Sequence, residues 1–309
     1  MEELKIEGYN ARIKKDEPMS NHTTYHIGGL AKYFVYVNDA QALKETIEYG
    51  KERGIKHAIV GDCSNFLVSD DGFDGAIIKL AGDFRKFSFD LNRNICTVGA
   101  GVKTAKIYNE FQKNYYKGLG YCVGIPGTIG GAVKMNAGRK RQWISSSLTS
   151  VQIMNKDAKV ENLKATDLEW GYRFSPIKDD EIVLQVNMKF KPTKSENERE
   201  YMRNRAKLMT MERRSHQPIG SLSCGSVFKN PPDNFAGKLI EEAGFKNAKV
   251  GGAQVSDVHS NFIVNTGNAK AADVVELIRQ IQKKVYDQNK IKLIPEVQFL
   301  GFKEPVSLF

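Results

Sequence analysis

The residues that first invite a chemical reading are glycines. The segment Gly124-Ile125-Pro-Gly127-Thr128-Ile-Gly130-Gly131-Ala-Val-Lys-Met-Asn136-Ala-Gly138 is dense in them. A chain without Cβ atoms exposes its N–H groups and reaches positive φ at little cost. Such a loop curls around a pyrophosphate with its amide dipoles aimed at the anion. The spacing fits neither G-x-G-x-x-G nor a P-loop ending in G-K-[ST], and a tight structural loop without a ligand explains the same glycines. Two more glycine segments follow strand-like runs: Gly61-Asp62-Cys63-Ser64-Asn65 after Val60, and Gly99-Ala-Gly101 after Val98. Three such loops in the first half of one chain favour a nucleotide cofactor over three purely structural turns.

Other chemistries find less support. The four cysteines, Cys63, Cys96, Cys122 and Cys224, include no C-x-x-C pair. Buried free thiols are therefore expected, and no metal site. The net charge of +10 admits a nucleic-acid surface or a site for multiply anionic small molecules. The basic residues are scattered, apart from 199–214 and Arg139-Lys140-Arg141. No aromatic RNA-binding motif or zinc-finger spacing accompanies them. The small anion is favoured, and no nucleic-acid partner is expected. No apolar run approaches the roughly 20 residues that span a bilayer. The polar start of the chain lacks the apolar core of a signal peptide. A cytoplasmic protein without membrane insertion is expected.

The elements that must position these loops read as mixed α and β. Tyr33–Val37, His57–Val60, Ala76–Leu80 and Ile95–Val98 are strand-like. Asp39 opens a helical pattern through Leu43 and Ile47, and Thr104–Gln112 reads as another helix. Val151–Met154 and Glu181–Phe190 are the clearest later strands, and the polar stretch 191–198, with Pro192, is the best linker. A basic helix follows with Met202, Ala206 and Met209 on one face. Val274, Leu277, Ile278, Ile281 and Val285 mark an amphipathic helix. Asn261–Val264 and Glu296–Leu300 are strand-like.

The motifs in order carry a resemblance. Thr23-Thr-Tyr-His-Ile-Gly28-Gly29 is followed by the three glycine loops and by Met135-Asn136-Ala-Gly138. Then come Tyr172-Arg173-Phe-Ser175, Gln217-Pro218, Ser223-Cys-Gly-Ser226-Val-Phe-Lys229-Asn230-Pro231, Gly251-Gly-Ala-Gln254-Val-Ser256 and Pro295-Glu296-Val297. Over roughly residues 10 to 303 the chain resembles the UDP-N-acetylenolpyruvoylglucosamine reductases. The short path from Pro232 to Gly252 resembles the type that lacks a tyrosine-bearing insertion. The resemblance implies an α+β fold with an FAD-binding part of the vanillyl-alcohol-oxidase type. Two flavin subdomains, 1–79 and 80–198, would precede a substrate domain, 199–309. It implies noncovalent FAD, NADPH as electron donor and a UDP-linked enolpyruvyl sugar as acceptor, in a protein expected to be a monomer.

The resemblance also implies roles. Ser226 matches the proton donor, and Arg173 and Glu296 match the pair at the enolpyruvyl group. The glycine loops imply a cofactor site of Gly61, Asp62, Cys63, Ser64, Asn65, Gly124, Ile125, Gly127, Thr128, Gly130, Gly131, Asn136 and Gly138. Tyr172, Arg213, Lys229 and Asn230 match positions near the substrate, and Arg213 matches an arginine near its phosphates. His259 also falls in a family motif, but a packed histidine is as good a reading. Two departures stand out: Arg139-Lys140-Arg141-Gln-Trp143 replaces a common Ala-Tyr-Gly, and Cys63 sits where a third loop glycine is common. They leave room for a paralogue acting on another sugar; the other alternative is a flavin oxidase of the same fold, against which the set of Ser226, Arg173 and Glu296 argues.

Overall fold

The computed structural model describes residues 3–4, 9–139 and 142–309. The first unit holds strands β1 (Glu3–Leu4), β2 (Ala11–Pro18) and β3 (Leu30–Val37), helix α1 (Ala40–Glu52), and strands β4 (His57–Val60), β5 (Phe66–Val68) and β6 (Phe73–Leu80). Its main sheet has the order β1-β2-β3-β6-β4. β3, β6 and β4 are parallel, so a crossover is required between them, and α1 supplies it. α1 begins where Asp39 accepts a hydrogen bond from Ala42 N at 2.8 Å, as an N-cap carboxylate does. Its buried side is Ala42, Leu43, Ile47 and Gly50.

The second unit is a fully antiparallel sheet in the order β12-β11-β13-β8-β7. These are β7 (Phe87–Asp90), β8 (Ile95–Gly99), β11 (Leu148–Met154), β12 (Val160–Lys164) and β13 (Ile182–Lys189). Between β8 and β11 lie α2 (Thr104–Lys113), the short α3 (Ile129–Lys134) and a hairpin of β9 (Gly138–Arg139) and β10 (Gln142–Trp143). One apolar core runs through both units, joining Val35, Leu43 and Ile78 to Val98, Ile107, Ile129, Val151 and Val186.

Next comes α4 (Glu196–His216), whose side chains bond to Tyr115, Lys117, Val123 and Arg139. The third unit contains α5 (Ala236–Glu242), β14 (Lys249–Val250), β15 (Ala253–Val255), β16 (Ile263–Asn265), α6 (Ala271–Asn289) and β17 (Gln298–Leu300). The expected stripe on α6, Val274 to Val285, is fully buried. Its core also takes in Tyr25, Ile27 and Leu67 from the first unit. β17 pairs in parallel with β5, Gln298 opposite Phe66 and Leu300 opposite Val68. Asp70 accepts from Ala271 N at 2.8 Å and Ala272 N at 3.0 Å. The last unit is thus stitched to the first beside the 61–65 loop.

The linker expected at 191–198 is shorter than its composition suggests. Lys191–Pro192 pairs with Tyr116–Lys117, and α4 starts at Glu196 because Ser195 accepts from Glu198 N while Glu198 accepts from Lys194 N. This reciprocal cap stabilises the first turn within a polar run. Met202, Ala206 and Met209 share a half-buried face, and α4 buries no residue fully. All four cysteines are free and buried, and burial pushes each thiol up to about 12.

Candidate active site

The glycine loops converge. Thr128 caps α3 by accepting from Gly131 N, and a Cβ on Gly61 would lie 2.4 Å from its hydroxyl. Gly127 has φ +101°, and a Cβ there would lie 2.9 Å from Ser64 Oγ. The 61–65 and 124–131 loops therefore touch at two points where any side chain would separate them. The third loop backs them: Gly130 N donates to Ala100 O at 2.8 Å, and Ile129 N to Val102 O at 2.9 Å. Thr104 Oγ1 donates to the carbonyls of Ile125 and Gly127. Asp62 pairs with Lys79 at 3.4 Å and Lys103 at 3.8 Å. Cys63 has φ +48°, the left-handed conformation that favours glycine, so the departure at this position retains a glycine-like backbone.

The second cluster is built on a tight turn. Gly171 and Phe174 exchange backbone hydrogen bonds of 3.1 and 3.2 Å, and Arg173 at the turn has φ +50°. Asn136, fully buried, donates from Nδ2 to Gly171 O at 2.8 Å and accepts from Ser145 N. Its amide is thus spent on holding the turn. Lys134 Nζ donates to the carbonyls of Ile177 and Lys178 on the far side. The turn presents Arg173 Nε to Glu296 Oε1 at 2.5 Å, with Nη1 donating to Gly138 O at 3.3 Å.

Glu296 N donates to Val227 O at 2.7 Å, and Phe228 bridges Pro295 in the same antiparallel contact. That ties the segment bearing Ser226 to the glutamate. Asn65 Nδ2 donates to Glu296 O at 2.8 Å, joining the cluster to the first glycine loop. Burial raises the Glu296 pKa, opposed by the charges of Arg173 and Lys229. Ser226 is half-buried and follows Gly225, at φ +86°. Among the described residues no group hydrogen-bonds its hydroxyl.

The remaining sequence candidates fall around this centre. Tyr172 OH accepts from Asn230 N at 3.3 Å, and Asn230 Oδ1 caps α5 through Ala236 N. Arg213, on α4, donates from Nη1 to Val123 O at 2.9 Å, and its guanidinium lies against Gly124, where a Cβ would approach within 3.0 Å. His259 is packed against Phe262 and Gly237 and accepts from Asn261 N, so it is occupied within the fold. Reasoning from residue types missed Lys134 and Asp70; neither carries a local motif. Lys140 and Arg141 of the basic run lie outside the described residues.

These loops fit a dinucleotide cofactor. The cradle at Gly61 and Gly127 excludes side chains, and the rim at Gly124 and Pro126 is exposed. Backbone amides free of side chains are groups a pyrophosphate requires.

Comparison with known proteins agrees. The profile described as "UDP-N-acetylenolpyruvoylglucosamine reductase, C-terminal domain" matches residues 217–300, and that described as "FAD binding domain" matches 31–164. The UDP-N-acetylenolpyruvoylglucosamine reductase of Caldicellulosiruptor saccharolyticus is 40% identical over 303 residues, covering 97% of this chain and 96% of the relative. That of Halalkalibacterium halodurans is 38% identical over 290 residues, covering 94% of each. The crystal structure of the Thermus caldophilus reductase superposes with a TM-score of 0.80 at 32% identity, over 94% of this chain and 99% of that one. An α+β fold with an FAD-binding domain is the one expected from the motifs, and FAD is the cofactor. With the paired glycine loops and the Arg173–Glu296 cluster in one continuous fold, the chain belongs to the UDP-N-acetylenolpyruvoylglucosamine reductase family.

Proposed function

We infer that the protein reduces the enolpyruvyl ether of UDP-N-acetylglucosamine enolpyruvate to UDP-N-acetylmuramate, a step of peptidoglycan precursor synthesis, with noncovalent FAD and NADPH as reductant. The observation that carries the reading is the Arg173–Glu296 pair at 2.5 Å, tied by main chain to the segment of Ser226. The 61–65 and 124–131 loops would hold FAD, which when bound would supply the hydride chemistry between NADPH and C3 of the enolpyruvyl group.

The chain's residues do the rest. An enol ether is electron-rich and resists hydride, so negative charge must be accommodated on the neighbouring carboxylate. Arg173 meets that charge as it grows, in a partly desolvated site where a fixed cation acts strongly. Glu296 orients the guanidinium through Nε. Its raised pKa keeps a proton available further toward neutrality than an exposed glutamate would. Ser226 donates a proton to C2; its hydroxyl, without a protein partner, is free to take the direction the substrate sets.

Tyr172, Lys229, Asn230 and Arg213 are assigned to substrate binding. The loops 61–65 and 124–131 are assigned to the cofactor, and Asn136 and Gly138 to holding Arg173 beside it. The division into 1–79, 80–198 and 199–309 is likewise proposed, as are a monomeric state and a cytoplasmic location, where UDP-sugars and NADPH are found. No described helix is long and apolar enough to cross a membrane.

The test is anaerobic and optical. NADPH should bleach the yellow protein, the enolpyruvyl UDP-sugar should restore the colour, and acid should release free FAD. Colour that returns with oxygen but not with the sugar would overturn the reading in favour of a flavin oxidase.

A further inference from the structure

Of the basic run at 199–214, the reaction above uses Arg213 alone. Arg199, Arg203, Arg205, Lys207, Arg213 and Arg214 stand there against Glu200 and Glu212. All lie on α4, which buries no residue fully. Its inner side is settled. Met202, Ala206, Met209 and Arg213 are half-buried there. Arg203, Glu198, Arg213 and Glu212 fasten the helix to Tyr115, Lys117, Val123 O and Arg139. The outer side faces solvent, yet it is not purely polar. Tyr201, Leu208 and Met211 are 61%, 65% and 57% exposed.

At about 100° per residue, Leu208 sits roughly 20° and Met211 roughly 80° from Tyr201, so the three share one outward stripe. Asn204 and Ser215 within it carry no charge. Arg205 edges the stripe on one side, and Lys207 and Arg214 edge it on the other, each within roughly 60° of a stripe residue. Among the described residues Lys207 and Arg214 enter no hydrogen bond or ion pair, and Arg205 donates only to the Tyr201 hydroxyl, at 3.3 Å. Glu200 is the one acid on this side without an ion pair among the described residues; Glu212 is engaged with Arg139. Single exposed apolar side chains need no partner. Three on one side of a helix, edged by unpaired cations, form the pattern of a helix that lies in a lipid interface. Leu208 and Met211 suit the acyl boundary, and Tyr201 suits the head-group level, with its ring inward and its hydroxyl in water. The cations suit lipid phosphates. A nucleic acid would satisfy the cations but offers no apolar phase to Leu208 and Met211.

We propose that α4 docks the protein peripherally on an anionic phospholipid surface, with the helix axis in the plane of the interface. Charge and apolarity choose this occupant together. A chain of net charge +10 is drawn to a negative leaflet, and the stripe then gives up its exposed apolar surface to the lipid. The fastenings on the inner side hold α4 against the body while its outer side is covered. Such docking needs no spanning segment, and no described helix is long and apolar enough to be one.

The FAD-loaded protein would be co-sedimented at low salt with phosphatidylcholine vesicles, either pure or containing about one-third phosphatidylglycerol. Binding is expected to the anionic vesicles and not to the neutral ones. Lys207→Gln with Arg214→Gln should weaken it roughly 25-fold, about fivefold for each cation near the surface. Leu208→Ser with Met211→Ser should weaken it roughly tenfold, because the apolar anchor is lost while the charge is kept. Leu208→Trp should bind, and its emission should move to the blue on anionic vesicles, which adsorption by charge alone would not produce. All four positions are exposed and lie outside the proposed catalytic and binding residues, so each variant should keep its flavin colour, a sign that the fold is intact. A parent that binds anionic vesicles no better than neutral ones overturns the proposal, as do variants that all bind like the parent. If only the charge variants lose binding, the face recognises charge alone; an acidic protein or a nucleic acid then replaces the membrane as its partner, and the proposal is again overturned.

Discussion

In the proposed reaction Ser226 and Glu296 would divide the acid–base work, and their environments differ accordingly. The Ser226 hydroxyl is half-buried and has no protein partner among the described residues, so its function is exposed by deleting it. Ser226→Ala should leave anaerobic reduction by NADPH near the parent rate, because hydride transfer from NADPH needs no acid. Reoxidation by the enolpyruvyl UDP-sugar should slow by roughly 10²-fold, the scale for losing a positioned general acid. Stopped-flow absorbance separates the two steps, and equal slowing of both would reduce Ser226 to a packing residue. Glu296 makes a pH prediction. Its pKa is raised above 4.5 by burial, so the fold binds its proton more tightly than the unfolded chain does. The associated stability is present below that ordinary value and is lost as pH rises through the raised one. Glu296→Gln has no proton to lose. Variant-minus-parent stability should therefore climb across this window and be flat on either side. Thermal melts over a pH series check this; a pH-independent difference would contradict it.

At the scale of elements, the site depends on a turn and a seam. The Arg173 turn is held from one side by Asn136 and from the other by Lys134, so a left-handed arginine is stabilised by its neighbours rather than by its own preference. The seam is the β5–β17 pairing, which sets Asn65 against the backbone of Glu296. Asp70, three residues past Leu67 on the same segment, accepts two N–H groups at the start of α6. Asp70→Ala leaves both donors to water and should cost about 1 kcal/mol, as loss of a helix-capping side chain does. Asp70→Asn should cost less. Urea denaturation measures both, and unchanged midpoints would mean the cap contributes nothing.

For the whole molecule, the dominant long-range feature is its net charge of +10. Each ligand assigned to it is an anion with several charges. Attraction should raise the encounter rate at low salt. Between about 0.01 and 0.15 M salt the Debye length falls from roughly 30 to 8 Å, so kcat/KM for NADPH should fall several-fold over that range. A smaller fall is expected with NADH, which lacks the 2′-phosphate. Steady-state rates at fixed pH decide it. A flat profile for both would assign the positive charge no part in ligand capture.

Much of the protein was determined by local sequence. Asp39 and the spacing of Leu43 and Ile47 define α1, and the five-residue apolar stripe defines α6, because helix periodicity and capping act over a few residues. The glycine loops were legible for the same reason: a missing Cβ is a property of the residue itself. The order of motifs then identified the family and pointed to Arg173, Glu296 and Ser226 as candidates. Tertiary structure alone decided the rest. β2, in the polar start of the chain where local pattern marked no strand, is one because β3 pairs with it, although only Ala11 and Glu17 on it are buried. Asn136 sits in a glycine-rich motif, yet its amide serves the Arg173 turn thirty-five residues away. Residues 66–68 meet 298–300 through a parallel pairing that no local pattern encodes. Hydrogen bonds and charges between distant segments exist only once the chain has closed on itself, so the contacts linking cofactor loop, arginine turn and glutamate become visible only in the fold.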